Sequence, residues 1–253
     1  MMNTSPALTE VLNHPAVWRG NDFAQVATPS VPTGYAELDV LLPGSGWPTG
    51  VLTEILVERA GIGELQLVMP AAAHITQSDR WLTMIAPPYL PYAPALASHG
   101  VKLSRLMLIR PKTLAQQLWA CEQALQADTC GAVMLWLDNT PDRATENALR
   151  RLQLAAEHRG VLAFLFRTSR TTPCVQAALR LHISRQHGNT AIRILKRRGG
   201  GIPAPIFLDL HQPLRQRRPA TAAIMPRHDF AYTAPLLTPH TTHAADNADT
   251  VAH

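Results

Sequence analysis

The residues Val57-Glu58-Arg59-Ala60-Gly61-Ile62-Gly63-Glu64-Leu65 follow an apolar run and precede a helical stretch, the place where a nucleotide-binding fold keeps its phosphate loop. Such a loop needs glycines that let backbone N–H groups approach the phosphates, a lysine that reaches the β- and γ-phosphates, and a Ser/Thr hydroxyl for magnesium. In this chain Glu58 takes the place of the first glycine, Gly61 and Gly63 supply the turn, and Glu64 and Leu65 replace the lysine and the hydroxyl residue. A carboxylate beside a triphosphate reverses the sign of the strongest contact, and like charges in contact cost kilocalories even when partly screened. Productive ATP binding is not expected.

A second group of residues could act on an anion. Arg193, Lys196, Arg197, Arg198, Arg215, Arg217 and Arg218 fall in one stretch whose only acid is Asp209, and the chain as a whole carries a formal charge of +5 with a pI near 9.5. Clustered charge of this kind suits an anionic partner, or simply forms a solvated basic face. The histidines at 211, 228, 240, 243 and 253 have no spacing that closes a metal site, so no metal, cofactor or catalytic residue is expected.

The elements that must position these residues read as strand and helix in alternation from Val51 onward. The runs 51–57, 80–86, 106–110, 131–138 and 161–166 are strands. Between them lie helices from Glu64 to about Thr76, with Pro70 expected to kink it or end its first turn, over 94–99, through Leu114, Leu118, Cys121 and Leu125, and from Arg143 to His158. Residues 139–142 supply N-cap chemistry for the last helix and Gly160 stops it. The alternating runs 178–184 and 190–196 meet across His187-Gly188-Asn189 as a hairpin, to which 205–210 adds a further strand. This is the pattern of a mainly parallel sheet between helices, closed by an antiparallel hairpin.

With 253 residues, 46% of them hydrophobic and 16% charged, the chain can bury one core with appendages. Residues 1–30 read as an N-terminal arm, with Leu8, Val11 and Leu12 on one face of a short helix and Trp18 as an anchor; 31–211 form the core, and 212–253 form a low-complexity tail expected to be disordered. The N-terminus has neither the basic nor the apolar region of a secretion signal, and Cys121, Cys130 and Cys174 share no paired spacing, which points to a cytoplasmic protein.

The segment 31–65 resembles the lead-in to a RecA-like core through Thr33-Gly34, Leu38-Asp39 and Pro48-Thr49-Gly50. The resemblance implies a P-loop-type α/β fold over roughly 31–210 and puts Asp138 at the family's Walker B position; an aspartate ending a buried strand is as readily its polar terminus. Where that family carries its catalytic glutamate, this chain reads Pro87-Pro88-Tyr89. Arg167 and Arg170 occupy a shortened version of its DNA-contacting loop, while Lys196 and Arg198, with Arg197 between them, match basic residues that reach a neighbour's nucleotide or merely solvate a strand end. Trp47 and Tyr89 are expected near the mouth of the lost site, chiefly as packing residues, and Trp119 and Trp136 at buried or docking positions.

With its "GIGEL" loop and basic "LKRRGG", the chain resembles the ImuA family of translesion-synthesis accessory proteins. That likeness implies a non-catalytic SOS-response scaffold, cytoplasmic or nucleoid-associated, working with an ImuB-like relative of Y-family polymerases, an error-prone C-family polymerase, RecA and the DNA backbone. The GVLTEI and RWL segments also resemble the SulA family, which implies instead an inhibitor of division acting on FtsZ.

Overall fold

The computed structural model describes residues 29–137, 142–186, 189–199 and 201–210. Asp138, Trp18, the arm helix, the turn residues His187 and Gly188, and the tail 212–253 lie outside them. The chain lays down β1 (Ser30–Val31), α1 (Ala36–Asp39), β2 (Trp47–Pro48), β3 (Leu52–Val57), α2 (Glu64–Gln77), β4 (Trp81–Ile85), α3 (Ala93–Ser98), a 3-10 turn (Leu103–Arg105) and β5 (Leu106–Ile109). It continues through α4 (Leu114–Gln126), β6 (Cys130–Trp136), α5 (Arg143–Arg159), β7 (Leu162–Thr168), β8 (Leu179–Gln186), β9 (Asn189–Lys196) and β10 (Ile206–Leu208).

Eight strands form one sheet in the order β10-β9-β8-β3-β7-β6-β4-β5. From β5 to β8 each neighbour is parallel, and β8, β9 and β10 are antiparallel, as the sequence pattern indicated. Successive side chains of a strand point to opposite faces. Ile55, Met84, Met134 and Phe164 therefore join Leu67, Val68 and Ala71 of α2 in one cluster, while Val133, Leu135 and Leu165 join Leu118 and Leu125 of α4 and Leu149 and Leu152 of α5 in another. Asp142 starts α5 by accepting the Thr145 N–H at 2.7 Å, which holds its carboxyl below the ordinary value of 3.8, and Gly160 ends the helix at φ 59°.

Pro70 neither ends nor replaces the first turn of α2: the helix runs through it. The missing N–H at Pro70 frees the Gln66 carbonyl, and Tyr35 Oη donates to that oxygen at 3.1 Å. The proline ring also explains Gly34, whose φ is 84° and where a Cβ would stand 2.5 Å from Pro70 Cβ. Beside it, Asp39 accepts the buried Thr33 N–H at 2.8 Å; burial pushes the Asp39 carboxyl above 3.8 and the bonds from Thr33 pull it back. Through Gly34 and Tyr35 the 33–39 segment thus packs onto α2, with the Thr33–Asp39 bond closing the segment on itself.

The middle of the sheet is held by a buried carboxylate. Glu54 of β3 accepts Arg167 Nη1 of β7 at 3.2 Å, Arg180 Nε of β8 at 2.5 Å and the Cys174 N–H at 3.0 Å. Arg167 donates again to Thr172 O at 2.7 Å, and Arg180 to Cys174 O at 2.6 Å. One carboxylate therefore joins three strands and pins the 169–178 connection across the sheet. Removing it strands two guanidinium groups in a low-dielectric interior, so Glu54→Ala should cost about 3–5 kcal/mol. Urea unfolding measures this, and a loss under about 1 kcal/mol would show that the network holds little.

All three cysteines are buried and free. Burial pushes the Cys121 and Cys174 thiols up from 9.0 and takes Cys130 to about 11. Because the folded Cys130 thiol ionises later than an unfolded one, its stability contribution is full below pH 9.0 and is lost as pH rises through about 11. Iodoacetamide at pH 8 should leave the native chain unlabelled and modify the thiols only after unfolding; rapid native labelling would contradict this burial.

Candidate functional site

Glu64 fills the turn that precedes α2. As the first residue of α2 it is 5% exposed, and its carboxylate turns back on the loop, accepting the Gly61 N–H at 2.7 Å on Oε1 and the Gly63 N–H at 3.2 Å on Oε2. Both glycines have positive φ, 85° and 114°, which lets their amides converge on one anion. A negative group is also favoured at the first turn of a helix. The chain's own carboxylate therefore occupies two converging amides of the kind that can cradle an anion. Behind the loop, a Cβ on Gly63 would meet only the tip of the Leu210 side chain, Cδ1 at 2.9 Å, so it is the φ of 114° that calls for glycine.

In front of the loop is a cavity of about 350 Å³ at the carboxyl ends of the parallel strands, where open α/β sheets bind their ligands. Gly61, Gly63, Glu64 and Leu65 form one side, residues 87–91 the other, and Trp136 and Arg185 complete it. β4 leaves the sheet through Ala86, a non-glycine residue at φ 52° whose N–H donates to Ile109 O at 2.9 Å, and the chain then passes through Pro87, Pro88 and Pro91. This turn sets Tyr89 and Leu90 at the rim, 69% and 67% exposed. Trp136 stacks on buried Phe166 with centroids 4.6 Å apart, giving the cavity a fixed aromatic wall. A lined apolar recess with one carboxylate already committed to backbone amides can receive an apolar side chain and offers a phosphate chain poor contacts.

The other sequence candidates disperse. Glu58 lines a separate depression with His182 and Arg193. Arg167, expected on a DNA-facing loop, instead belongs to β7 and is buried against Glu54; its side chain is 0% exposed, so that expectation is corrected. Arg170 is exposed in the connection that follows. Trp47 is a packing residue as expected, fully buried and edge-on to Phe164 with centroids 5.2 Å apart, but its expected place near the cavity mouth is corrected, since it does not border the cavity. Trp119 is exposed on α4, whereas Tyr89 stands at the cavity as expected.

Lys196, Arg197 and Arg198 gather at the opposite strand ends. Lys196 Nζ donates to Val175 O at 2.9 Å, Arg197 donates to Gly201 O at 2.6 Å and Leu41 O at 2.5 Å, and Arg198 is exposed beside Pro43 and Pro48. The residues that sequence reasoning missed are Glu54, Arg180, Arg185 and the carboxylate role of Glu64. Glu54 sits in an otherwise apolar strand, LTEILV, and a charged residue at that place was the available signal.

Among the described residues, no helix is long and apolar enough to cross a membrane. No family model matches the chain. It is similar to the protein "Cell division inhibitor SulA" of Klebsiella aerogenes, 29% identical over 125 residues that cover 49% of this chain and 72% of that protein.

Proposed function

We propose that this chain is a non-catalytic protein-binding module, a division inhibitor whose strand-end cavity takes an apolar side chain from a tubulin-like division protein, FtsZ being the expected partner. The observation that carries the reading is the Glu64 carboxylate seated on the Gly61 and Gly63 amides. With those donors occupied and an apolar wall opposite, the end of the sheet serves recognition of a protein surface better than recognition of a triphosphate. The similarity to the cell division inhibitor supports the choice of target. Tyr89 and Leu90 at the rim, with Tyr92 also exposed close by, supply the aromatic and aliphatic anchors that such contacts use.

A second reading is a scaffold of SOS-induced translesion synthesis that joins an ImuB-like protein, an error-prone polymerase and RecA. Arg198, exposed beside Lys196 and Arg197 at the edge opposite the cavity, favours it. The two readings separate on overproduction in undamaged cells. Division inhibition predicts filamentous cells and a block of FtsZ assembly by the purified chain, both lost in Tyr89→Ala/Leu90→Ala with affinity reduced roughly tenfold or more. Normal division together with co-purification of a Y-family-like partner would favour the scaffold.

Glu64→Ala should leave the Gly61 and Gly63 amides without an acceptor and lower stability by roughly 1–3 kcal/mol in urea unfolding. The double change Glu64→Lys/Leu65→Thr should restore at most weak ATP binding and no turnover, since Pro87 and Pro88 provide no group to orient water. ATP hydrolysis by the unmodified chain would overturn the non-catalytic reading.

A further inference from the structure

The half of the sheet built from β8, β9 and β10 turns Leu181, Ile183, Ile192, Ile194 and Leu208 into the core. Strand alternation therefore turns His182, Arg193 and Phe207 to the other face, where His182 stands opposite Arg193 and Phe207 opposite Ala191. This face has a depression of about 350 Å³ with Gln186 at its border and Glu58 as its one lining carboxylate. Phe207 is 56% exposed, and Arg193 is exposed with no partner among the described residues. The segment carries Arg180, Arg185, Arg193, Lys196, Arg197 and Arg198 against one acid, Asp209.

We propose that this open face binds a single nucleic-acid strand, with Phe207 stacking on a base and Arg193 pairing with the adjacent phosphate. The argument is one of complementarity. A lone exposed ring between an arginine, a histidine and an amide side chain lacks the dry apolar surround of a protein hot spot. It has what a single strand needs, a π-face for an unpaired base next to positive charge for the backbone. A duplex hides its base faces and could use only the charge. The proposal lies apart from the strand-end cavity and does not depend on which protein partner occupies that cavity.

The test is fluorescence anisotropy of a labelled oligothymidine with the full chain over a range of salt concentrations. The unmodified chain should bind more tightly to the oligothymidine than to a duplex of equal length. Arg193→Ala should weaken binding and reduce the log–log salt slope by roughly one unit. Phe207→Ala should weaken it roughly tenfold at every salt concentration with the slope unchanged, and Phe207→Tyr should retain it. Glu58→Gln, which removes the carboxylate, should tighten it. Unchanged circular dichroism keeps these effects local, since the altered side chains are exposed. Binding that survives both Arg193→Ala and Phe207→Ala, equal binding to duplex, or no binding at low salt would each overturn the proposal.

Discussion

The fold turns on the Glu54 carboxylate. β3 is the strand at which the parallel part of the sheet meets the antiparallel part, with β7 on one side and β8 on the other, and its LTEILV run is buried throughout. A lone carboxylate there would be prohibitively costly to desolvate. Two guanidinium groups and a backbone N–H offset that cost, and the carbonyls of Thr172 and Cys174 take further guanidinium donors. The geometry demanded by this network is restrictive: β7, the 169–178 connection and β8 must all reach one point. Loss of any one member would be costly, because it leaves the others buried and uncompensated.

Fixing that junction separates the two ends of the sheet. At the carboxyl ends of the parallel strands lie the Glu64-filled loop, the 87–91 turn and Trp136; at the opposite ends lie Lys196, Arg197 and Arg198. One end is apolar and the other basic. Much of the basic end's charge is spent on carbonyls, since Lys196 and Arg197 donate to Val175, Gly201 and Leu41. A basic run in sequence is thus a poor guide to which cations remain available, and Arg193, in the middle of a strand, is more accessible to a ligand than Lys196 or Arg197 near its end.

The architecture was largely legible in the sequence because each element announces itself locally. The buried runs of β3, β6 and β7, the helical spacing of Leu114, Leu118, Cys121 and Leu125, and the Asp142 and Gly160 caps depend on neighbours a few residues away. The site was less legible because its meaning depends on long-range partners. Arg167 at the head of RTSRTTP looks like a loop cation, and only the strand register that sets Leu56 beside it and Glu54 within reach shows that it is internal. Trp47 fails as a cavity residue for the same reason: nothing near it in sequence reveals Phe164.

Glu64 is the instructive case. From sequence it is a missing lysine, a repulsive charge that disqualifies the loop. In the structure it is an attractive charge, because the amides that cradle an anion do not distinguish a carboxylate in the chain from a phosphate in solution. An intramolecular anion pays no translational entropy to be captured and cannot diffuse away, which favours it over a free anion for the same donors. The loop therefore keeps its left-handed glycines and its close fit to Leu210 without a ligand to organise them. The two hydrogen bonds from the loop to Glu64 and the stacking of Trp136 on Phe166 thus define the two sides of the recess from within the chain itself.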